Sequence, residues 1–306
     1  MTSSNRNVLL IGGAGFVGAP IVAALTRLSY RVIIPTRQKK NIDHLRTNPL
    51  VQLVSYSNLG VDGLTQLMSQ FGENDFVINL AGILHDSMAK PYGPGFKATH
   101  VDLVKNIVIA MKAAGVKRLI HMSALGASST GPSMYSRSKG DGEAIVRSSG
   151  LKWTIFRPSV IFGENDNFVN MFGRLQKLAP LIPLAGANVK FQPVYVGDVA
   201  KAFVRCIDMP TTYSKVYELG GPKIYTLAEI VRIAGLKAGC ARVIIPMPRW
   251  LGYLQAWMLE YVPGPTLMSR DNMNSMKQNN ILQETESNSL QTQFGIEPTY
   301  LESLLN

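Results

Sequence analysis

The chain has 306 residues, of which 46% are hydrophobic, and a formal net charge of +11. This composition excludes collagen-like and low-complexity chains and allows one large domain or a domain with a smaller lobe. The positive charge suits an anionic partner. The sequence has no zinc-finger spacing, no RNP-type strand and no run of five basic residues, so nucleic acid is not an expected partner.

Strand-like runs alternate with helical patterns along the first half of the chain. The strand-like runs are NVLLIGG, YRVIIPTR, VQLVSYS, DFVINLAG, VKRLIHMSA and KWTIFRPSVIFG, and the helical ones between them are APIVAALTRL, GLTQLMSQF, HVDLVKNIVIAMKAAG and SKGDGEAIVRSSG. Short, continuous apolar runs separated by helices predict an α/β fold with a doubly wound parallel sheet of the Rossmann type.

The rhythm changes after Gly163. A helix-like run, a strand-helix unit, the strand KVYELGG and the helix TLAEIVRIAG follow, the last with Thr226 and Glu229 at capping-box spacing. We predict a dinucleotide-binding Rossmann domain over residues 1–163 together with 191–221. Residues 164–190 and 222–306 are predicted to form a smaller C-terminal lobe.

The loop between the first strand and the first helix contains Gly12, Gly15 and Gly18. The first glycine permits a tight turn, the second lets the backbone approach a pyrophosphate, and the third allows close packing of helix on strand. The helix N-terminus then presents free N–H groups to phosphates. We expect this loop, with Phe16 and Val17, to bind a dinucleotide; a tight turn without a ligand is the alternative.

The end of the second strand bears on the choice between NADP and NAD. No acidic residue that could bind the adenosine ribose of NAD occurs between Gly18 and Asp43. The strand ends in PTRQKK, which brings Thr36, Arg37 and two lysines to this position. Because an arginine there accommodates a 2′-phosphate, NADP(H) is the expected cofactor, with NAD(H) as the alternative.

A serine, a tyrosine and a lysine form a candidate catalytic trio. Tyr135 and Lys139 stand four residues apart on one helix face, and Ser123 follows the fifth strand. In hydride transfer, such a tyrosine moves the substrate proton, the lysine lowers the tyrosine pKa and holds the nicotinamide ribose, and the serine hydrogen-bonds the substrate oxygen. A solvated helix surface is the alternative.

These motifs resemble the extended, epimerase-like branch of the short-chain dehydrogenase/reductase superfamily. The likeness runs through GGAGFVG, VINLAG, VKRLIHMSALGA, YSRSK, FRPSVIFG, QPVYVGDVAKAF and YELGGP. It implies that several further residues contact the cofactor: Asn58 and Leu59 near the adenine, Leu80, Ala81 and Gly82 beside the dinucleotide, and Pro158 and Val160 near the nicotinamide. The branch has an Asp-Leu step where this chain has Asn58-Leu59.

A narrower resemblance is to the nucleotide-binding accessory subunit of respiratory complex I and its bacterial relatives. It is carried above all by MPRWLGYLQAWMLEYVPGPTLMSRDNMNSMKQNNI, which lies outside the shared cofactor fold. The resemblance implies tightly held NADPH without demonstrated turnover, beside a membrane-bound respiratory complex. Because MTSSNRNVLL leads directly into a strand and no apolar run reaches the roughly 18 residues that span a bilayer, we expect a cytoplasmic protein, with peripheral attachment to the inner membrane face left open.

Residues 248–265, PRWLGYLQAWMLEYVPGP, contain a helix-like apolar stripe. Its members are Trp250, Leu251, Leu254, Trp257, Met258 and Tyr261, at spacings of three and four. Such a face suits a membrane surface or a groove on a respiratory complex, and packing over the chain's own cleft is the alternative. Three functions follow: an accessory or assembly factor for a respiratory NADH:quinone oxidoreductase, an active NADP-dependent reductase, dehydrogenase or epimerase, and a sensor of the NADPH/NADP ratio.

The cofactor choice leads to a first prediction. NADPH should bind more tightly than NADH, and Arg37→Ala should remove most of the difference because the guanidinium no longer pairs with the 2′-phosphate. Titration of both nucleotides against parent and variant measures this. Equal affinities of the parent for the two nucleotides would contradict the assignment.

Overall fold

The computed structural model of the chain describes residues 6–37, 42–56, 59–262, 266–283 and 288–305. Three features singled out in the sequence lie outside the described residues: Asn58, the basic pair Lys39 and Lys40, and the last three residues of segment 248–265. The described residues form the α/β fold that the sequence predicts.

The strands of the described chain are β1 Asn7–Ile11, β2 Arg31–Thr36, β3 Val51–Ser55, β4 Phe76–Asn79, β5 Arg118–Met122, β6 Lys152–Pro158, β7 Ile161–Phe162, β8 Leu181–Ala185, β9 Lys190–Phe191, β10 Val194–Tyr195, β11 Lys215–Leu219, β12 Tyr225–Thr226 and β13 Val243–Met247. The α-helices are α1 Gly18–Arg27, α2 Asp43–Arg46, α3 Val61–Leu67, α4 Pro94–Phe96, α5 Leu103–Ala113, α6 Met134–Arg147, α7 Val169–Leu178, α8 Val196–Arg205, α9 Leu227–Lys237, α10 Arg249–Leu259, α11 Arg270–Ser275 and α12 Ser289–Thr292. A π-helical segment, Lys97–Asp102, joins α4 to α5.

Seven of the described strands form one parallel sheet in the order β11-β6-β5-β4-β1-β2-β3. Chain connectivity reverses direction between β1 and β4, which makes that crevice the topological switch point where ligands bind in open α/β sheets. This arrangement confirms the predicted doubly wound parallel sheet. The late strand β11 returns to it beside β6.

Both faces of the sheet are buried, which explains the continuous apolar runs. Val8 and Leu10 point into a core cluster shared with α1 and α8. Leu9 and Ile11 point to the other side, into a cluster shared with α3 and α5. The period of two along a strand therefore fills one core on each face.

A third core cluster lies among α7, α9 and the short strands β8, β9 and β12. Its helix α9 begins with the predicted capping box: Thr226 Oγ1 accepts from the Glu229 N–H at 3.2 Å, and the Glu229 carboxylate accepts from the Thr226 N–H at 2.7 Å. Near the chain end, Leu290 and Phe294 pack in the first cluster, on the large sheet. The domain limits given above stay a prediction.

Candidate functional site

The β1–α1 loop lies at the switch point, and its glycines have different structural reasons. Gly12 has a φ of +84°, and a Cβ there would lie 3.1 Å from the backbone of Leu80 and Ala81. A Cβ on Gly18 would clash with the backbone of Gly13. Gly15 is different, because among the described residues its Cβ would meet one atom within 4 Å, the Gly12 carbonyl oxygen at 3.3 Å. The fold needs Gly12 and Gly18, whereas Gly15 leaves backbone open to a ligand.

The N-terminus of helix α1 borders this open backbone, and no side chain caps its free N–H groups in the described chain. Val17 precedes the helix, and within the described chain α1 has no side-chain cap and no acidic residue in its first turn. The ring of Phe16 lies against Gly163, beyond β7. The positive end of the helix dipole is therefore available to an anionic group.

Two predicted site residues lie at the end of β2, and one follows β3. Thr36 ends β2 and is buried, and Arg37 comes next and is exposed. Leu59 is 6% exposed and packs in the core beside α3 and α5, while its carbonyl oxygen accepts from Asn106 Nδ2 at 3.3 Å. Arg37 thus presents a positive charge at the carboxyl edge of the sheet, whereas Leu59 is part of the core.

The turn after β4 lies against the glycine loop. The Leu80 N–H donates to the Ile11 carbonyl at 2.8 Å, and the Ala81 N–H donates to Asn79 Oδ1 at 3.1 Å. Asn79 Nδ2 lies 3.1 Å from Nδ1 of His121. Burial, aided by the charge of Lys139, lowers the pKa of His121 to about 3, so its ring is neutral and accepts this bond.

His100 is a site residue that the sequence reasoning missed. It lies in the π-helical segment and is 2% exposed; its Nε2 accepts from the Ile83 N–H at 3.1 Å, and its Nδ1 lies 2.8 Å from Ser138 Oγ. Burial, with the charges of Lys139 and His121, lowers the pKa of His100 to about 2. The neutral ring therefore fastens the turn after β4 to α6. A lone histidine in a helical pattern gives no sequence signal for this role.

Lys139 reaches the same turn from α6. It is 3% exposed, its Nζ donates to the Met122 carbonyl at 3.2 Å, and a Cβ on Gly82 would lie 3.4 Å from Nζ. Burial lowers the pKa of Lys139 to about 8, against a smaller raising effect of Glu143. An ammonium group has three donors, and the bond to Met122 is the one hydrogen bond of Nζ among the described residues, so two donors stay available for a ligand.

Tyr135 precedes Lys139 by one turn of α6. Its ring meets His100 edge-on with centroids 5.7 Å apart and Phe96 with centroids 6.1 Å apart. Burial raises the pKa of Tyr135 to about 12. The sequence predicts that Lys139 lowers the pKa of Tyr135. In the chain itself the raising effect of burial is larger, so the hydroxyl is protonated at neutral pH.

Ser123 carries the clearest sign of a ligand. The residue follows β5, is 3% exposed, and its N–H donates to the Phe156 carbonyl at 2.7 Å. Its Oγ is buried and has no hydrogen-bond partner among the described residues. Because an unpaired buried hydroxyl costs free energy, a partner supplied by a bound molecule accounts for it better than packing does.

The connection after β6 completes the carboxyl edge. The Pro158 carbonyl accepts from the Leu125 N–H at 3.0 Å, beyond Ser123, and the Val160 N–H donates to Asn280 Oδ1 at 3.2 Å. Elements after β1, β4, β5 and β6 therefore converge on one side of the sheet. Arg37 stands apart, at the end of β2.

Helix α10 lies outside the cofactor fold and has an unusual distribution of side chains. Its exposed large apolar residues, with their exposed fractions, are Trp250 66%, Leu254 47%, Trp257 45% and Met258 60%, and Tyr261 follows the helix at 72%. Its buried residues are the small Gly252 and Ala256, packed on Met273 of α11. The large apolar face therefore points outward. None of the helices in the described ranges combines the length and apolarity needed to cross a bilayer.

Comparison with known proteins gives the family context. Residues 8–220 match the NAD dependent epimerase/dehydratase family. The chain is 34% identical over 255 residues to the mitochondrial NADH dehydrogenase (ubiquinone) 1 alpha subcomplex subunit 9 of Mus musculus, covering 80% of this chain and 66% of that protein. The same subunit of Arabidopsis thaliana is 32% identical over 230 residues, which cover 73% of this chain and 56% of that protein. The chain thus spans under two thirds of the length of both relatives.

A solved structure agrees in fold. The crystal structure of a nucleoside-diphosphate-sugar epimerase from Staphylococcus aureus superposes with a TM-score of 0.75 at 20% identity, covering 98% of this chain and 100% of that one. This likeness concerns the doubly wound sheet and the elements packed beside it.

The unpaired Ser123 hydroxyl leads to a prediction for the ligand-free protein. Ser123→Ala should leave the free energy of unfolding unchanged or raise it by up to about 1 kcal/mol, because it removes a buried group without a partner. Ser149→Ala is the matched control: Ser149 is also 3% exposed, but its Oγ donates to the Val146 carbonyl at 2.6 Å. That control should lose about 1 kcal/mol in denaturant unfolding. An equal loss in both variants would mean that Ser123 has a structural partner.

Proposed function

This chain belongs to the NAD dependent epimerase/dehydratase family, and from that premise we propose that it holds NADP(H) as an accessory or assembly factor of a respiratory NADH:quinone oxidoreductase. The observation that carries the partner role is the outward apolar face of α10. Two relatives with 34% and 32% identity bear the name of a subunit of such an enzyme.

Dinucleotide binding is supported by the sheet edge. The open backbone at Gly15 and the uncapped start of α1 suit a pyrophosphate. Lys139, with two donors to spare near Gly82, suits ribose hydroxyls at the other end. The NADP form is supported by Arg37, exposed at the end of β2, in a stretch of sequence without an acid before Asp43.

The partner role is supported by the composition of the α10 face. Exposed contiguous apolar patches on a folded domain mark interaction surfaces, and tryptophan is enriched where partners bind. The rings of Trp257 and Tyr261 meet edge to face with centroids 5.6 Å apart, so the two side chains form one aromatic surface. We propose that this face contacts the respiratory enzyme; an anionic membrane surface beside it is the alternative contact.

An active reductase or epimerase is the second candidate, and the unpaired Ser123 hydroxyl favours it. In that reaction Ser123 would donate to the substrate oxygen, and Tyr135, protonated at neutral pH, would supply the proton. A reduced nicotinamide, when bound, would supply the hydride that accompanies this proton. A module that senses the NADPH/NADP ratio would need the same nucleotide but not the tyrosine hydroxyl.

Affinity capture from native membranes tests the partner role. The tagged parent should capture the respiratory oxidoreductase. The double variant Trp250→Ser, Trp257→Ser should capture at least tenfold less of it, because the apolar contact is removed. Leu28→Ser is the control, since Leu28 is 59% exposed but lies at the end of α1. Equal capture by the double variant would overturn the proposed contact.

The variant Tyr135→Phe distinguishes an accessory factor that only holds its nucleotide from an active enzyme. If the chain holds its nucleotide without turnover, respiratory NADH:quinone activity should be unchanged in cells that contain the variant as their sole copy. Loss of that activity with nucleotide binding retained would favour the enzyme instead.

A further inference from the structure

The segment 269–282, which we call the strap, lies outside the cofactor fold and contains α11. Its Asp271 is 2% exposed and reaches the start of α6. Oδ1 accepts from the Met134 N–H at 2.7 Å, and Oδ2 accepts from the Tyr135 N–H at 3.0 Å. The carboxylate therefore satisfies two of the N–H groups that a helix N-terminus leaves free, and it does so at the residue that carries the candidate catalytic hydroxyl.

The other end of the strap reaches the connection after β6. Asn280 Oδ1 accepts from Ser159 Oγ at 2.6 Å and from the Val160 N–H at 3.2 Å. The backbone of Asn280 is itself fixed: its N–H donates to the Lys190 carbonyl at 2.8 Å, and its carbonyl accepts from the Gln192 N–H at 3.0 Å. Asn280 thus ties the segment beside the nicotinamide end of the proposed site to the β9–β10 region.

One short segment therefore fastens two elements that border the same end of the site. Neither contact is required for the seven-stranded sheet, whose strands lie between residues 7 and 219. Between them, Met273 packs against Ala256 of α10, behind the outward apolar face. The strap is the physical connection between that face and the site.

We propose that Asp271 and Asn280 are positioning residues for the nicotinamide half of the dinucleotide, an inference that rests on the proposed nucleotide binding. Asp271 fixes the start of α6 and with it the placement of Tyr135 and Lys139. Asn280 holds the Ser159 hydroxyl and the Val160 N–H. The adenosine half meets the glycine loop and Arg37, which neither strap residue contacts in the described structure.

This division gives a test with two ligands. Asp271→Asn places an amide against backbone donors. Asn280→Ala removes the side-chain acceptor of the Val160 N–H and of Ser159 Oγ, and leaves Ser159 Oγ only its 3.1 Å bond to the Asn280 carbonyl. Each variant should bind NADPH about tenfold more weakly, which corresponds to the loss of one strong cap or hydrogen bond. Each should bind 2′,5′-ADP, which lacks the nicotinamide, as the parent does. Fluorescence of bound NADPH and calorimetry with 2′,5′-ADP measure the two affinities.

Two control variants separate positioning from general destabilisation. Asn280→Asp keeps the acceptor oxygen and should retain NADPH affinity, and Lys277→Ala changes an exposed residue of the same strap. Because Asp271 and Asn280 act at separate contacts, either variant tests the inference if the other does not fold. Thermal unfolding of each variant identifies which ones fold.

The outcomes are distinct. Weaker NADPH binding with unchanged 2′,5′-ADP binding supports the positioning role. Equal weakening of both ligands, or no change in either, overturns it while leaving nucleotide binding by the parent intact. If the parent binds neither ligand, the proposed nucleotide function fails, and this inference fails with it.

Discussion

Parallel pairing throughout the seven-stranded sheet is the constraint on which the rest of the described structure depends. Because all seven strands run the same way, the loops after β1, β4, β5 and β6 must emerge at one edge. That geometry brings the glycine loop, the turn at residues 80–82, Ser123 and residues 158–160 together from distant parts of the sequence. The chemistry available at this edge follows from the few polar groups that the loops leave unsatisfied there.

The electrostatics of the site are those of a buried cation among neutral rings. Lys139 has its charge close to His100 and His121, and both imidazoles stay neutral because burial and that charge lower their pKa values, so neither adds a second positive charge beside the lysine. Glu143, one turn on, is bound to Arg157 at 2.8 Å. A lysine held in this way suits hydroxyl groups or an anionic ligand. Burial raises the pKa of Tyr135, so its hydroxyl retains a proton that could be given to a substrate. The site therefore suits a protein that only holds a nucleotide and equally one that reduces a substrate with it.

The sequence predicted the fold well because the sheet imposes a strong pattern. A strand whose two faces are both buried has a continuous apolar run, such as Val8–Ile11, and such runs can be recognised in the sequence. The spacing of Thr226 and Glu229 likewise indicates the start of a helix. Hydrogen bonds between side chains and residues distant in the sequence could not be predicted. His100, Asp271 and Asn280 contact residues 17, 137 and 121 positions away, and no local spacing encodes such pairs. The stripe on α10 was readable, but its outward direction was not, since periodicity does not tell a core from a partner.

The central claim is that the chain holds NADP(H), and the nucleotide that accompanies it from its own cells tests this most directly. Protein isolated without added cofactor is denatured, and the released nucleotides are identified and counted by mass spectrometry. The account predicts about one NADP(H) per chain, the stoichiometry of a single switch-point site. Release of NAD(H) instead, or of no dinucleotide from protein that also fails to bind NADPH when it is supplied, would contradict it.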